Sequence, residues 1–221
     1  MPNMLLSLIR KEFTLELRRR AVVSGIGLYL FAIIFICYLT FSLRRGSINE
    51  ATWSALFWLA ILFSVINSVA KSFIGEKKGL SIYYYSIASA SAVILSKIIY
   101  NTLLCLLLSV VGFILFSLFI SNPVQDIPLF LLTILLTSIG FSAALSLISA
   151  IAAKTNNSNV LMAVLSFPVL IAILLMAIRA TKNIVDGLER STSYDELVNL
   201  LAINCILSAL AYVLFPYIWR S

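Results

Sequence analysis

The sequence predicts an all-α integral membrane protein with six transmembrane helices, an N-terminal amphipathic interfacial helix and both termini in the cytoplasm. Three observations predict it. Of 221 residues, 62% are hydrophobic and 11% charged, against roughly 45–50% apolar content in soluble domains. The apolar residues gather into six runs, about 21–43, 51–70, 92–120, 127–153, 158–180 and 197–218. Each is long enough for the about 20 helical residues that cross a hydrocarbon core. The runs are continuous and not alternating, which favours a helical bundle over a barrel. Little of the chain remains for a soluble part, so residues 1–221 read as a single transmembrane domain.

Orientation follows from the sixteen basic residues. With the N-terminus inside, eleven of them fall on inner segments: Arg10, Lys11, Arg18, Arg19, Arg20, Lys71, Lys77, Lys78, Lys97, Lys154 and Arg220. Five fall outside: Arg44, Arg45, Arg179, Lys182 and Arg190. This is the bias of the positive-inside rule, and it accounts for the net charge of +7 without a nucleic-acid partner.

Taken in order, residues 4–20 open the chain with "MLLSLIRKEFTLEL", too short and too charged to span. On a helical wheel Met4, Leu5, Leu6, Leu8, Ile9, Phe13, Leu15 and Leu17 share one broad arc, and Ser7, Arg10, Lys11, Thr14 and Arg18 share the other. That is a helix lying in the lipid interface. Glu12 and Glu16 interrupt its apolar arc one turn apart. A lipid-facing surface does not favour carboxylates, so Glu12, Phe13 and Glu16 are expected to meet protein, or the two acids to pair with Arg19 and Arg20. The first apolar run lacks a small-residue cleavage pattern and reads as a retained span.

Between the second and third spans lies an inner loop, residues 71–90, containing "FIGEKKGLSIYYYS". Gly75 and Gly79 bracket Glu76, Lys77 and Lys78, and Tyr83, Tyr84 and Tyr85 follow. A short cytoplasmic helix fits this stretch; an ordinary basic loop with interfacial aromatics also fits it. The outer turn "SNPVQDIP" ends one span and starts the next at its prolines. "AAKTNNSN" is the inner turn between spans four and five, and Pro168 predicts a kink in span five. The last outer loop, "ATKNIVDGLERSTSYDEL", carries Ser193 and Glu196 at capping-box spacing before the final helix.

Several chemistries are missing. The chain has no histidine, the commonest metal ligand and proton shuttle. It has no phosphate-binding loop; "GEKKG" has the wrong spacing and no Ser or Thr after a lysine. Asp126, Asp195 and Glu196 lie at or outside span edges, whereas proton-coupled transporters and intramembrane proteases usually place ionisable groups at mid-depth. Asn67, Asn101 and Asn204 inside the spans read as interhelical hydrogen-bonding groups. Cys37, Cys105 and Cys205 sit in three different spans with no CxxC pair and read as small buried apolar residues. An intramembrane enzyme or redox protein is thereby disfavoured, whereas a membrane scaffold stays open.

An amphipathic N-terminal helix, six spans and a charged loop between spans two and three resemble the permease half of an ABC exporter of the ABC-2 type. In that superfamily the loop runs from an acid through Gly and a Leu-rich stretch to a Lys at the start of span three. Glu76, Gly79, Leu80 and Lys97 follow this order, with "SIASAS" in place of the usual proline and the tyrosine triplet where leucines are common. "LIRKEFTLELRRR", "SFIGEKKG", "YYYS", "ILSKIIYN", "SNPVQD", "GFSAALSLISAIAAKTNNS", "VLSFPV", "NIVDGL" and "LFPYIWRS" together resemble, nearly end to end, the CcmB family of cytochrome c maturation. The resemblance implies a haem-exporter permease subunit of a bacterial inner membrane with no ATPase of its own. It implies a separate CcmA-like ATPase that binds the ATP, a CcmC-like haem-handling membrane subunit and a periplasmic haem chaperone. Haem is then cargo of the complex, with no cofactor bound by this chain. The loop becomes the element coupled to the ATPase, with Glu76, Lys77, Lys78, Gly79, Tyr83, Tyr84 and Tyr85 as its contacts. A lipid, drug or polysaccharide exporter of the same architecture is the alternative.

Overall fold

The computed structural model describes residues 2–18, 20–44, 49–69, 73, 89–155 and 158–220. Among them are seven α-helices and one 3-10 turn. They are α1 (Pro2–Arg18), α2 (Arg20–Arg44), α3 (Glu50–Val69), α4 (Ala90–Phe119), α5 (Ile127–Ala152), α6 (Ser158–Val185), the 3-10 turn Arg190–Ser193, and α7 (Tyr194–Arg220). Five of these, α3 to α7, are long and apolar enough to cross a membrane, and α2 is apolar along Gly25–Phe41.

Helix α5 is the axis of the bundle. From Leu136 to Ala150 every residue except Ile139 is buried, and α4, α6 and α7 pack around it. Its sequence explains this: Gly140, Ala143, Ala144 and Ala150 alternate with serines, and small residues let neighbouring backbones approach closely in lipid. Asn204 of α7 lies over Gly140; a Cβ there would stand 2.5 Å from the Asn204 Oδ1. Helix α3 fills the gap between α4 and α6, where the buried Trp58 indole donates to Thr181 Oγ1 at 2.8 Å. Trp53, Phe57, Phe113, Phe116 and Phe130 form an aromatic nest beside it, with Trp53 and Phe57 stacked at 5.5 Å and the other pairs edge-on or tilted, all arrangements that the ring quadrupoles favour.

Two buried amides in the spans find partners inside the bundle, which the absence of water in lipid favours. Asn101 donates to Ser146 Oγ at 2.8 Å and Asn204 to the Leu136 carbonyl at 2.8 Å, both between helices. Asn67 departs from expectation. It donates at 3.1 Å to the Phe63 carbonyl of its own helix, and its side chain is exposed. Among the cysteines only Cys105 is buried; Cys37 is half-buried and Cys205 is exposed on the bundle surface, so the small-core reading holds for one of the three. Helix α6 runs through Pro168 and continues to Val185, past the expected end near 180.

Candidate coupling joint at the inner end

The inner end, the one predicted to face the cytoplasm, is built from α1, Phe73, the start of α4 and the ends of α5 and α7. Ser89 caps α4, its hydroxyl accepting the Ala92 N–H at 3.4 Å. Two turns on, Lys97 is 2% exposed. A lysine set among Ile94, Leu95, Ile98 and Ile99 is costly to bury unless it is compensated. Glu12 supplies the counter-charge from α1: its Oε2 lies 3.5 Å from Lys97 Nζ, while its Oε1 accepts from Lys11 at 2.8 Å. The ammonium also stands 4.7 Å from the centroid of the Phe73 ring, where the quadrupole attracts a cation.

Phe73 is the last described residue before the 74–88 stretch, and it is firmly held. Its backbone N–H donates to Ser149 Oγ on α5 at 3.1 Å. Its ring packs at 5.3 Å on Phe215 of α7, which packs at 5.4 Å on Trp219. Val93, Ile94, Ile98, Leu147, Ala150 and Ala211 close a small hydrophobic cluster around it. Phe13 of α1 meets Tyr100 of α4 edge-on, with centroids 5.0 Å apart. Below the joint, Ser142 donates to the Ile98 carbonyl at 2.7 Å, and Thr102 donates to Ser142 at 2.8 Å. Together with Asn101 and Ser146, these bonds zip α4 to α5.

The predicted contact residues fall unevenly on this picture. Glu12 and Phe13 meet protein, and the protein is this chain's own α4. Glu16 lies on α1, with its side chain outside the described ones. Glu76, Lys77, Lys78, Gly79, Tyr83, Tyr84 and Tyr85, with the short helix expected there, lie outside the described residues. Phe73, Ser149 and the pairing of Lys97 with Glu12 were not foreseen. The available signal was the lone lysine inside an apolar run, which calls for a nearby carboxylate, and Glu12 was the acid out of place on its own helix.

The opposite, outer end holds a second polar cluster. Asp126 caps α5, its Oδ1 accepting the Leu129 N–H at 3.2 Å, with Pro128 in the first turn. The same carboxylate receives Arg190, Nε to Oδ2 at 2.6 Å and Nη2 to Oδ1 at 3.3 Å. The Arg190 hydrogen bonds and then the Leu129 N–H hold the Asp126 carboxyl below the usual carboxylate range. Gln125 donates to the Val185 carbonyl at 3.2 Å. Its amide occupies the space over Gly187, whose φ of 68° and missing side chain leave room for it. An open cavity of about 430 Å³ lies between these groups.

A comparison with curated proteins returned no match. The family profile described as CcmB protein matches residues 3–216. On that near-complete match the chain belongs to the CcmB family, the membrane permease subunits of haem-export ABC transporters in cytochrome c maturation.

Proposed function

We propose that this chain is the membrane half through which a separate ABC ATPase drives haem delivery, or release of a haem-loaded periplasmic chaperone. In this reading α2 is the sixth span, both termini face the cytoplasm, and the membrane is the bacterial inner one. The ATP sits on a CcmA-like subunit. A CcmC-like subunit handles the haem, and this chain, with no histidine, transmits force.

The observation that carries the proposal is the anchoring of Phe73. A lever needs a rigid root, and Phe73 is tied at once to α5 by a hydrogen bond, to α7 by ring packing and to α4 by the Lys97 ammonium. A pull on the loop that follows is therefore delivered to three spans together, which suits rigid-body switching. Glu76, Lys77 and Lys78 supply charge complementarity to the ATPase, and Tyr83, Tyr84 and Tyr85 the aromatic anchors that dominate interfaces.

The test pairs a haem stain with a pull-down. In a strain lacking this gene, covalent haem in c-type cytochromes is expected to vanish and to return with the wild-type copy. With Tyr84→Ala and Tyr85→Ala, the ATPase is expected to stop co-purifying while the chain keeps its thermal stability. Normal co-purification refutes the contact assignment. Unaffected c-type cytochromes in the deletion strain refute the cargo and point to an exporter of another substance.

A further inference from the structure

We propose that the Asp126–Arg190 pair, with Gln125 beside it, is an outer latch that holds α5 against the α6–α7 corner and opens when the inner joint moves. The driver of that movement rests on the coupling reading above; the latch itself rests on outer-end geometry.

The mechanical argument starts from α5. Its 26 residues make a rod of about 39 Å at 1.5 Å per residue. At its inner end it is fastened to α4 by Asn101, Thr102, Ser142 and Ser146, and to Phe73 by Ser149. A displacement of α4 therefore carries α5 with it, and the rod conveys the motion to residues 125–127 outside. There the turn is tied to the far corner at two points, Gln125 to the end of α6 and Asp126 to the 3-10 turn before α7.

The chemistry of those ties suits release. The Arg190 side chain is 62% exposed and that of Asp126 24%, and an ion pair in contact with water contributes little to stability. Water replaces each lost bond as the pair parts, so opening leaves no buried charge. Geometry, in contrast, is tightly set: the guanidinium grips both carboxylate oxygens, and Oδ1 is fixed by its role as the α5 cap. A weak, well-oriented pair across a seam is poor glue and a good catch.

One substitution separates the cap from the catch. Asparagine caps a helix about as well as aspartate, so Asp126→Asn keeps α5 started while removing the charge that holds Arg190. Arg190→Gln removes the other side. Spin labels at Ile127→Cys and Leu188→Cys, both exposed, report the gap across the seam in the assembled complex, with Cys37, Cys105 and Cys205 replaced by serine. A second pair, Leu6→Cys and Ile99→Cys, reports the inner joint.

The expected result is a shift of the Ile127–Leu188 separation to longer distances with ATP and vanadate. In Asp126→Asn or Arg190→Gln the longer population is expected without nucleotide, with the double variant going no further than either single one. An outer separation unchanged by both substitutions overturns the latch, and so does an inner pair that responds to ATP while the outer pair does not. A gap that widens in the variants while neither pair responds to ATP sustains the latch and overturns the coupling reading instead.

Discussion

At the inner end Lys97 is sealed between Glu12 and the Phe73 ring, with 3% of its side chain in solvent. At the outer end Arg190 keeps 62% of its side chain in solvent while bonding Asp126 at 2.6 Å. The shorter pair is the weaker device. Solvent screens the outer contact and competes for both partners, whereas separating the inner pair without reaching water leaves buried charge uncompensated. Distance alone therefore misranks the two. Burial makes the inner joint a fixture and exposure makes the outer pair reversible, and the two suit opposite ends of one lever.

The sharpest way to break this contrast is to reverse the buried charge. Lys97→Glu places a carboxylate against Glu12 and over the negative face of the Phe73 ring. Breaking a buried pair costs about 3–5 kcal/mol, so the variant is expected to lose α1 docking and fall sharply in thermal stability in detergent. Adding Glu12→Lys restores opposite charges, and most of the loss is expected to return. A Lys97→Glu variant as stable as wild type would mean that the joint is hydrated and the contrast false.

The middle of the lever is tested at Gly140. A Cβ there meets Asn204 Oδ1 at 2.5 Å and Ile173 Cδ1 at 3.2 Å. Gly140→Ala is thus expected to cost about 1–3 kcal/mol, the usual range for overpacking a tight interior, by pushing Asn204 off the Leu136 carbonyl. Asn204→Ala in the same chain opens space, and in the Gly140→Ala background its own cost is expected to shrink. Thermal denaturation of the four combinations reads the coupling. Full additivity would show that α5 and α7 are loosely packed there and that α5 is no rigid rod.

How far the sequence foretold these features depends on the range of the interaction. Helices α2 to α7 were legible because their signal is local: each is a continuous apolar run whose length alone identifies it, and the prolines of the outer turn mark one helix's end and the next one's start in adjacent residues. The interhelical roles of Asn101 and Asn204 were legible because a polar amide in lipid must find a partner. Which partner was not. Ser146, Leu136, Ser149 and Arg190 stand 45 to 76 positions from the groups they bond, and nothing in spacing selects one serine of α5 over another. Asn67 shows the limit from the other side, since its own helix turn satisfied the same need. Glu12 was recognised as out of place on its helix, yet its counter-ion on α4 emerges only once the helices are packed.

The smallest expected effect is the titration of the latch, and its sign follows from the Asp126 carboxyl. Hydrogen bonds from Arg190 and then from the Leu129 N–H favour the charged form, so its folded pKa lies below the ordinary carboxylate value. The stabilisation is therefore complete above the ordinary value and is lost as pH falls through the depressed one. Labels at Ile127→Cys and Leu188→Cys are expected to hold their separation as pH drops through the ordinary carboxylate range, and to spread only below it. Asp186, beside Lys182 at 3.9 Å, and Glu189, which accepts from Ser191, are acids on the same end of the bundle, so the comparison with Asp126→Asn is what isolates the latch. In that variant the wide distribution is expected at every pH. High salt is expected to widen the wild-type distribution at neutral pH, because an exposed pair is screened, and to leave the Leu6–Ile99 separation unmoved, because a buried one is not. If salt loosens both ends equally, the inner joint is no more sheltered than the outer, and the lever has no fixed end to pull on.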